Sequence, residues 1–420
     1  VRAEERGSCA KQSIHAAGDL RLRFYRQSPT MSTLEIGASL TVTIEKLAFG
    51  GFGIARHDGM ALFVPFGAPG DTLRVEVTEI DKRHAMAKLV EVLTPSPHRR
   101  EPKCKHYGEC GGCHFQHIDY QEQVRQKAGF VKDALVRMGG IDWQGDVPIH
   151  AAGEWQYRAR TQIKVEGREM GFHRAFTKHV VAIEQCPVLV PELENAIPEL
   201  RAALQRVPQG ERVHQIEGAC GVDGASWAPD LPGIRKDLVE HRVLGFSYFV
   251  EPESFFQGNR LLVEQLVGHA VEGERGGLAF DLYAGVGLFT LPLSRNFARV
   301  VGVEDERRAA TLGRVNVKQN HCDNVHYYRE TTEQFLKTNK QRPDLLLIDP
   351  PRVGAKRALP QLLALQAPRM VYVSCDPTTM ARDLKDLIAG GYDLESVHAF
   401  DMFPQTYHVE CVSKLRWRNA

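Results

Sequence analysis

The spacing of apolar and polar positions changes character along the chain. From Ser39 onward it is short-range: Ser39–Leu47, Met60–Phe66, Asp71–Ile80 and Ala85–Leu93 each read as a strand, with the glycine turn Phe49-Gly-Gly-Phe-Gly53 among them. Several short strands in so little chain predict a small closed barrel of the OB type. Tyr120–Met138 then shows the spacing of an amphipathic helix rich in Gln and Lys, stopped by Gly139-Gly140. Trp155–Lys164 alternates basic and aromatic residues and reads as a further strand, and residues 191 to about 250 add one helix and some hairpins. The last third is different again. Leu278–Tyr283, Arg299–Glu304, Asp344–Ile348 and Met370–Val373 are buried runs spaced for a doubly wound α/β unit.

These changes predict four regions: an extension over 1–32, the barrel over 33–94, a central α+β domain over 95–255, and a Rossmann-like domain over 256–420. The helix near 118–140 is a candidate to pack on the last of these. A chain of 420 residues is too long for one core, which agrees with such a division. The extension carries many arginines and no convincing period, and Met31 follows directly. We read it as upstream of a true start at Met31 rather than as a basic arm for RNA, with weak structure expected in either case.

A formal charge of +1 argues against an indiscriminate polyanion binder, yet a local basic face is sufficient for nucleic acid. Lys82-Arg83-His84 on one barrel turn supplies such a face, as do Arg158, Arg160 and Lys164. No apolar run approaches the roughly 18 residues that a membrane span needs, so a cytoplasmic protein with no membrane partner is expected, and a monomer. Nine cysteines, an odd number with three tightly clustered, suggest a reducing compartment and a metal or cluster site.

That cluster reads Cys104-x5-Cys110-x2-Cys113, with a fourth cysteine, Cys186-Pro187, far downstream. Structural zinc sites usually pair their cysteines as two short clips. Three ligands in one glycine-rich loop plus a distant Cys-Pro suit a 4Fe-4S cluster better. Zinc remains the alternative, and a disulfide pair is the weakest option.

In the last third the chemistry collects at strand ends. The first buried strand runs into Tyr283-Ala-Gly285-Val-Gly287, a tight glycine turn expected to open a helix, and Glu304 ends the next strand, placed to take ribose hydroxyls. Thr290 stands where a dinucleotide fingerprint has its third glycine, which disfavours NAD; Asp281 and Glu304 suit S-adenosyl-L-methionine instead. Asp349-Pro-Pro-Arg352 closes a further strand at the same edge. So does Ser374-Cys375-Asp376-Pro377, which sets a thiol near a helix N-terminus, with Thr378 or Thr379 the expected cap.

A lone cysteine is most often a small buried hydrophobe. Here its surroundings suggest chemistry. Carbon 5 of uracil is a poor nucleophile, and a thiolate adding at carbon 6 would make it reactive. A base must afterwards remove the carbon 5 proton, and Glu410, on a late strand pointing to that edge, fits. The target base would have to leave its stack to reach such a pocket.

Ser254-Phe-Phe-Gln-Gly-Asn259, Asp281-Leu-Tyr-Ala-Gly-Val-Gly287, Asp349-Pro-Pro-Arg352, Val373-Ser-Cys-Asp-Pro377 and His408-Val-Glu410 occur in this order. With them the chain resembles the S-adenosylmethionine-dependent RNA 5-methyluridine methyltransferases, of the branch acting on 23S ribosomal RNA, over roughly residues 33–420. Phe63-Val-Pro-Phe66 and Gly70-Asp71 similarly make the barrel resemble the TRAM domain, an RNA-binding barrel. The resemblance implies that Cys375 and Glu410 are catalytic, and that Gln257, Tyr283, Gly285, Gly287, Glu304 and Asp349 carry cofactor and target-base contacts. Two departures stand out: Ala284 where many members have Cys, and Asp376 where the family usually has Asn. The second is expected to raise the pKa of Cys375 by like charge.

The nearest rival is a tRNA methylase of the same family. A cytosine-directed methylase shares the covalent mechanism, but its relatives place Pro-Cys in the loop after Asp-Pro-Pro, where Arg352-Val-Gly stands here. An iron–sulfur oxidoreductase and a non-catalytic RNA-binding iron–sulfur protein are the readings from other classes.

Overall fold

The strand expected over Ser39–Leu47 is bent at its middle, and the bend closes the barrel. In the computed structural model, which describes residues 34–208 and 211–419, β1 (Ser39–Thr43) and β2 (Lys46–Leu47) are its two halves. β2 pairs with β3 (Phe52–His57), which pairs with β4 (Met60–Pro65); β1 pairs with β5 (Thr72–Ile80). β6 (His84–Thr94) lies antiparallel to β5 and parallel to β4. The order β1-β5-β6-β4-β3-β2 therefore begins and ends on halves of one strand. Sequence reading missed β3, which follows the glycine turn and holds a glycine of its own. Period two is kept elsewhere: Leu73, Val75 and Val77 enter the core with Val42, Leu62 and Val64, while Arg74 and Glu76 face out toward Glu91 and Lys88. The expected extension over 1–32 lies outside the described residues.

Asp71 is fully buried in this unit and fully engaged. It accepts from Ala68 N at 2.7 Å, Ser96 N at 2.8 Å and Arg99 Nη2 at 2.5 Å. Burial pushes its carboxyl up, but these donors outweigh burial and hold it below the usual range. The Pro-rich linker is fastened to the barrel in this way.

Contacts divide the chain into two units, the barrel with its linker to Arg99 (apart from Phe49–Gly51) and the remainder from Arg100. In the second unit α1 (Tyr120–Arg137) is the expected helix, capped by Asp119 Oδ1, which accepts from Glu122 N at 3.0 Å. A two-residue strand, β7 (Ile149–His150), follows. Then β8 (Arg160–Glu166), β9 (Glu169–His173), β10 (Val180–Ala182), β11 (Gln215–Gly221) and β12 (Gly224–Ala228) form an antiparallel sheet in the order β10-β9-β8-β11-β12. The strand expected over Trp155–Lys164 thus starts only at Arg160; Arg158 bridges to Leu189 and Asn259 instead. Helices α2 (Pro191–Glu194) and α3 (Ile197–Arg206) cover this sheet, and the hairpin of β13 (Val239–Val243) and β14 (Phe246–Val250) leads out of it.

The remainder alternates helix and strand: α4 (Val263–Val271), β15 (Gly276–Leu282), α5 (Thr290–Leu293), β16 (Phe297–Val303), α6 (Arg307–Gln319), β17 (Val325–Tyr328), α7 (Thr332–Thr338) and β18 (Leu345–Ile348). There follow α8 (Leu359–Leu365), β19 (Arg369–Ser374), α9 (Pro377–Ala389), β20 (Tyr392–Phe400) and β21 (Glu410–Trp417). The sheet order is β17-β16-β15-β18-β19-β21-β20-β7, parallel from β17 to β19, with β21 antiparallel to both its neighbours. Successive strand residues enter opposite cores: Leu345, Leu347, Val371 and Val373 pack on the side of α4, Leu346, Ile348, Met370 and Tyr372 on the side of α9. Central parallel strands buried on both faces have to read as continuous apolar runs, which is why they were legible. Residues 95–255 contribute to this layer too, because Val131 and Leu135 of α1 join the core on the α9 side and β7 extends the sheet. Among the described residues no helix is long and apolar enough to cross a membrane.

The loop between β20 and β21, residues 401–409, is buried rather than solvated, so its backbone needs internal partners. Lys127 Nζ donates to Asp401 Oδ1 at 2.5 Å and to Phe403 O at 2.9 Å, with both charged side chains fully buried. Asn259 Nδ2 donates to Met402 O at 3.2 Å, and Tyr157 Oη to Pro404 O at 2.9 Å. Gln405 N donates to Gln123 Oε1 at 3.0 Å, while Gln405 O accepts from His114 N and Phe115 N at 2.7 and 3.0 Å. Breaking the ion pair from one side leaves a buried charge alone. Lys127→Met should cost about 3–5 kcal/mol in denaturant unfolding, whereas Lys127→Met with Asp401→Leu should recover most of that loss. Equal losses in the single and double variants would contradict it.

Candidate active site

Register brings the two candidate catalytic residues together. Antiparallel pairing of β19 with β21 ends at Ser374 opposite Cys411, so one step further along both strands sets Cys375 against Glu410. Directly opposed residues have Cβ atoms about 4.5–5.5 Å apart. Period two gives the side: Cys375 continues the row of Val371 and Val373, Glu410 that of Val412, Asp349 that of Leu345 and Leu347, and Asp281 that of Ala279. One thiol and three carboxyls thus belong to one face at the carboxyl edge of the sheet. The strand order reverses beside them, between β15 and β18, where open α/β sheets take ligands.

Electrostatics at this edge favour protons. Burial, then the charge of Glu410, push the Cys375 thiol up to about 12; Arg352 opposes them, and Asp376 ranks behind Asp349 among the remaining acids. Glu410, 2% exposed, is pushed well above the carboxylate range by burial and by Asp349, again with Arg352 opposing. Burial raises Asp349 to about 7. As expected, Asp376 raises the thiol by like charge, though it comes last among the acids that do so, and it has a second role in the helix. Asp376, not Thr378 or Thr379, is the cap of α9: its Oδ1 accepts from Thr378 N at 2.8 Å and Thr379 N at 3.1 Å, with Pro377 in the first turn. A thiolate-favouring helix N-terminus was expected; burial and neighbouring acids outweigh it. Arg352 appeared in the sequence only as the end of a motif, and its importance as a counter-charge was missed.

The glycine turn is built as expected, with one difference. Tyr283, Gly285 and Gly287 have φ of 66°, 55° and 97°, the left-handed region that glycine enters freely. The helix after it, α5, is a single turn rather than a full helix. Glu304 fastens the turn, accepting from Gly285 N at 2.8 Å through Oε2 and from Glu306 N at 2.8 Å through Oε1. From the other side Tyr327 Oη donates to Gly285 O at 2.6 Å. Sequence reading missed Tyr327; its ring lies where a Cβ on Gly302 or Gly313 would come within 2.7 or 2.5 Å, so both glycines make room for it. Asp281 is fully buried, and burial raises its pKa to about 8; Oδ2 accepts from Thr290 Oγ1 at 2.5 Å while Oδ1 has no partner. A buried carboxyl oxygen without a partner beside a glycine turn is open to a polar ligand. Gln257 is buried in the loop before α4, near Asn259, whose side chain holds residues 401 and 402.

The four cysteines also meet. Cys104, Cys110, Cys113 and Cys186 line one pocket, shared with Tyr107, Phe172, Ile183 and Val188, and all four are free thiols. Gly111 N donates to His173 O at 2.9 Å, seating the loop on β9; a Cβ on Gly111 would meet backbone atoms at 3.0 Å. Burial raises every thiol, Cys113 to about 12, and neighbouring thiols raise Cys110, Cys113 and Cys186 further. Four sulfur donors converging in an apolar shell suit a cationic centre.

Residues 236–417 match the family described as tRNA (Uracil-5-)-methyltransferase, and residues 40–98 the TRAM domain of tRNA (uracil(54)-C(5))-methyltransferase. An uncharacterized RNA methyltransferase of Aquifex aeolicus is 33% identical over 90% of this chain and 98% of its own length. The 23S rRNA (uracil(1939)-C(5))-methyltransferase RlmD of Shewanella sediminis is 30% identical over 93% and 98%. The crystal structure of the Pyrococcus abyssi tRNA (uracil-54, C5)-methyltransferase with S-adenosyl-L-homocysteine superimposes with a TM-score of 0.73, at 26% identity, covering 89% of this chain and 99% of that one. A TRAM barrel, a doubly wound methyltransferase sheet and relatives matched along nearly their whole length place this chain in the family of S-adenosylmethionine-dependent RNA uracil-5-methyltransferases.

Proposed function

We propose that this enzyme methylates carbon 5 of a specific uridine in 23S ribosomal RNA, with Cys375 as nucleophile and Glu410 as base. The observation that carries the roles is that the β19–β21 register ends at Ser374 opposite Cys411, one step short of Cys375 and Glu410, with Glu410 the foremost charge acting on the thiol. What favours ribosomal RNA is the relative acting on 23S rRNA, which aligns over 98% of its length. A tRNA substrate is the second reading, favoured by the structural likeness to the tRNA enzyme. Mapping 5-methyluridine in rRNA and tRNA from cells lacking the gene separates them: one uridine in 23S rRNA should lose its methyl group while tRNA keeps its own. The reverse pattern would sink the ribosomal reading.

S-adenosylmethionine, when bound, supplies the electrophilic methyl group; Gln257, Tyr283, Gly285, Gly287, Glu304 and Asp349 are the residues proposed to hold it and the target base. Cys375 loses its proton to solvent, and its sulfur adds to carbon 6 of a flipped uracil, placing the electron pair on the enolate. Carbon 5 then takes the methyl group. Glu410 removes the carbon 5 proton, and the returning electron pair expels the Cys375 thiolate. At rest the thiol and the Glu410 carboxyl are both held toward their protonated forms. The guanidinium of Arg352, the cation that opposes both shifts, is proposed to stabilise the anions as they form.

Cys375→Ala should neither methylate nor form a covalent RNA complex. Glu410→Gln should accumulate a methylated adduct that survives denaturing electrophoresis, because losing a general base slows elimination by about 10²–10⁴-fold. Once the pH is high enough to ionise Glu410, its charge is the foremost one that raises the thiol. With RNA absent, alkylation of Cys375 should therefore be faster in Glu410→Gln than in the parent at such pH, and equal in the two at lower pH, where Glu410 keeps its proton. In the parent it should rise about tenfold per pH unit, since the pH stays below a thiol pKa near 12. Normal turnover by Glu410→Gln would refute the assigned roles.

Cys104, Cys110, Cys113 and Cys186 are proposed to hold a 4Fe-4S cluster, a proposal supported by their convergence in one pocket and by three of them sharing a single glycine-rich loop. Its contribution would be structural, since the free energy of binding such a centre is folding free energy. Anaerobically prepared protein should contain about four irons per chain, and Cys186→Ser should release them and lower the melting temperature. Stoichiometric zinc without iron would count against the cluster.

A further inference from the structure

Three histidines that the methyl transfer does not use meet at the far edge of the catalytic sheet. His150 is on β7, His398 on β20 and His269 on α4, and one ring nitrogen from each lies within 4.8 Å of the other two. The strand pattern explains the meeting. His398 shares the face of Phe400, which packs on the α4 side, and His150 pairs opposite Phe400 and stacks on it at 4.5 Å between centroids. From above, the His269 ring approaches that of His398 to 4.1 Å.

Gathering three imidazoles in a half-buried place has a cost unless something uses their lone pairs. His269 Nε2 is buried without a hydrogen-bond partner. His150 Nε2 and His398 Nδ1 share a hydrogen bond at 3.0 Å, which a bound ion would replace, and that spacing is close to the roughly 3.3 Å between two nitrogens of a tetrahedral zinc centre with Zn–N bonds of about 2.0–2.1 Å. An outer partner is present as well. Gln265 reaches His150 Nδ1 at 2.9 Å, the usual arrangement in which a second group orients a metal-binding ring, while Glu272 Oε2 lies 4.0 Å from His269 Nδ1, beyond hydrogen-bond length. Burial lowers the pKa of all three histidines and so favours the neutral imidazole. The nearest cation, Lys414, is turned to Glu272 O at 2.7 Å and stands 3.8 Å from Glu274.

We propose that His150, His269 and His398 form a binding site for a borderline divalent transition ion, zinc foremost, with water as the fourth ligand. Imidazole donors favour zinc, copper, nickel and cobalt over magnesium or calcium. The site joins β7, β20 and α4, three elements distant in sequence, and so clips the short edge strand β7 to the sheet. It is separate from the four cysteines and independent of the substrate reading.

The test uses full-length protein carrying its iron, desalted from chelator and titrated with Co(II) as probe. One cobalt per chain should bind, with absorption in the visible range of a four-coordinate nitrogen site and without the near-ultraviolet bands of thiolate ligation. His398→Ala should weaken this binding by about 100-fold or more, the least expected for a direct ligand when an outer partner costs 10–100-fold. His150→Gln, at the sheet margin, should do the same and serves if His398→Ala folds poorly. Iron content and methyl transfer should match the parent in both. Absence of the cobalt site in the parent, or equal binding by parent and His150→Gln, would overturn the proposal.

Discussion

A buried ion pair, Lys127 with Asp401, governs how the active edge is assembled. Two charges without solvent exposure are costly to bury, and the pair contributes little net stability compared with apolar residues of similar volume. Its value lies in what it fixes. Lys127 comes from a helix far upstream, and Asp401 opens the loop that delivers Glu410 to the sheet. Lys127 also donates to Phe403 O, and Gln123, one turn earlier on the same helix, exchanges hydrogen bonds with Gln405. A loop secured at three positions by one helix has little freedom to move the residue that follows it.

The second constraint is charge. Asp349 and Glu410 act on the Cys375 thiol, Asp281 and Glu304 lie farther along the same sheet edge, and burial raises the pKa of all four carboxyls. Such a site is poorly suited to holding several anions at once. It suits a cationic ligand, and the sulfonium of S-adenosylmethionine is one. Arg352 opposes the proton affinity of both Cys375 and Glu410, so the site has a protein cation where the proposed reaction alternates between thiolate and carboxylate.

Much of this was readable because the determinants are local. Continuous apolar runs marked the parallel strands, and these candidate site residues sat just beyond them: Asp349 after Leu345–Ile348, Cys375 after Arg369–Ser374, Glu304 after Phe297–Val303. What was not readable depends on partners distant in sequence. Lys127 looks like one more polar residue on an amphipathic helix until Asp401 is placed beside it. Tyr327 has meaning only with Gly302 and Gly313, and the three histidines only through the pairing of β7 with β20. The cap of α9 was misassigned for a local reason, because Asp376-Pro377 and Thr378-Thr379 both carry capping side chains and proline at the first helical position decides in favour of Asp376.

The same connectivity bears on why a methyltransferase would carry a metal centre. The loop of Cys104, Cys110 and Cys113 is rich in glycine, and a loop of that composition loses much entropy on ordering. Immediately after Cys113, His114 N and Phe115 N donate to Gln405 O in the loop that leads to Glu410. Arg100, at the other end, pairs with Glu154, which in turn accepts from Gln405 Nε2 at 2.8 Å. Ordering the cysteine loop therefore orders donors to the catalytic loop. In the proposed reading the cluster supplies the free energy for that ordering, which needs no electron transfer, only a bound centre tying Cys186 to the loop. Its loss would reach Glu410 through Gln405, five residues away in sequence.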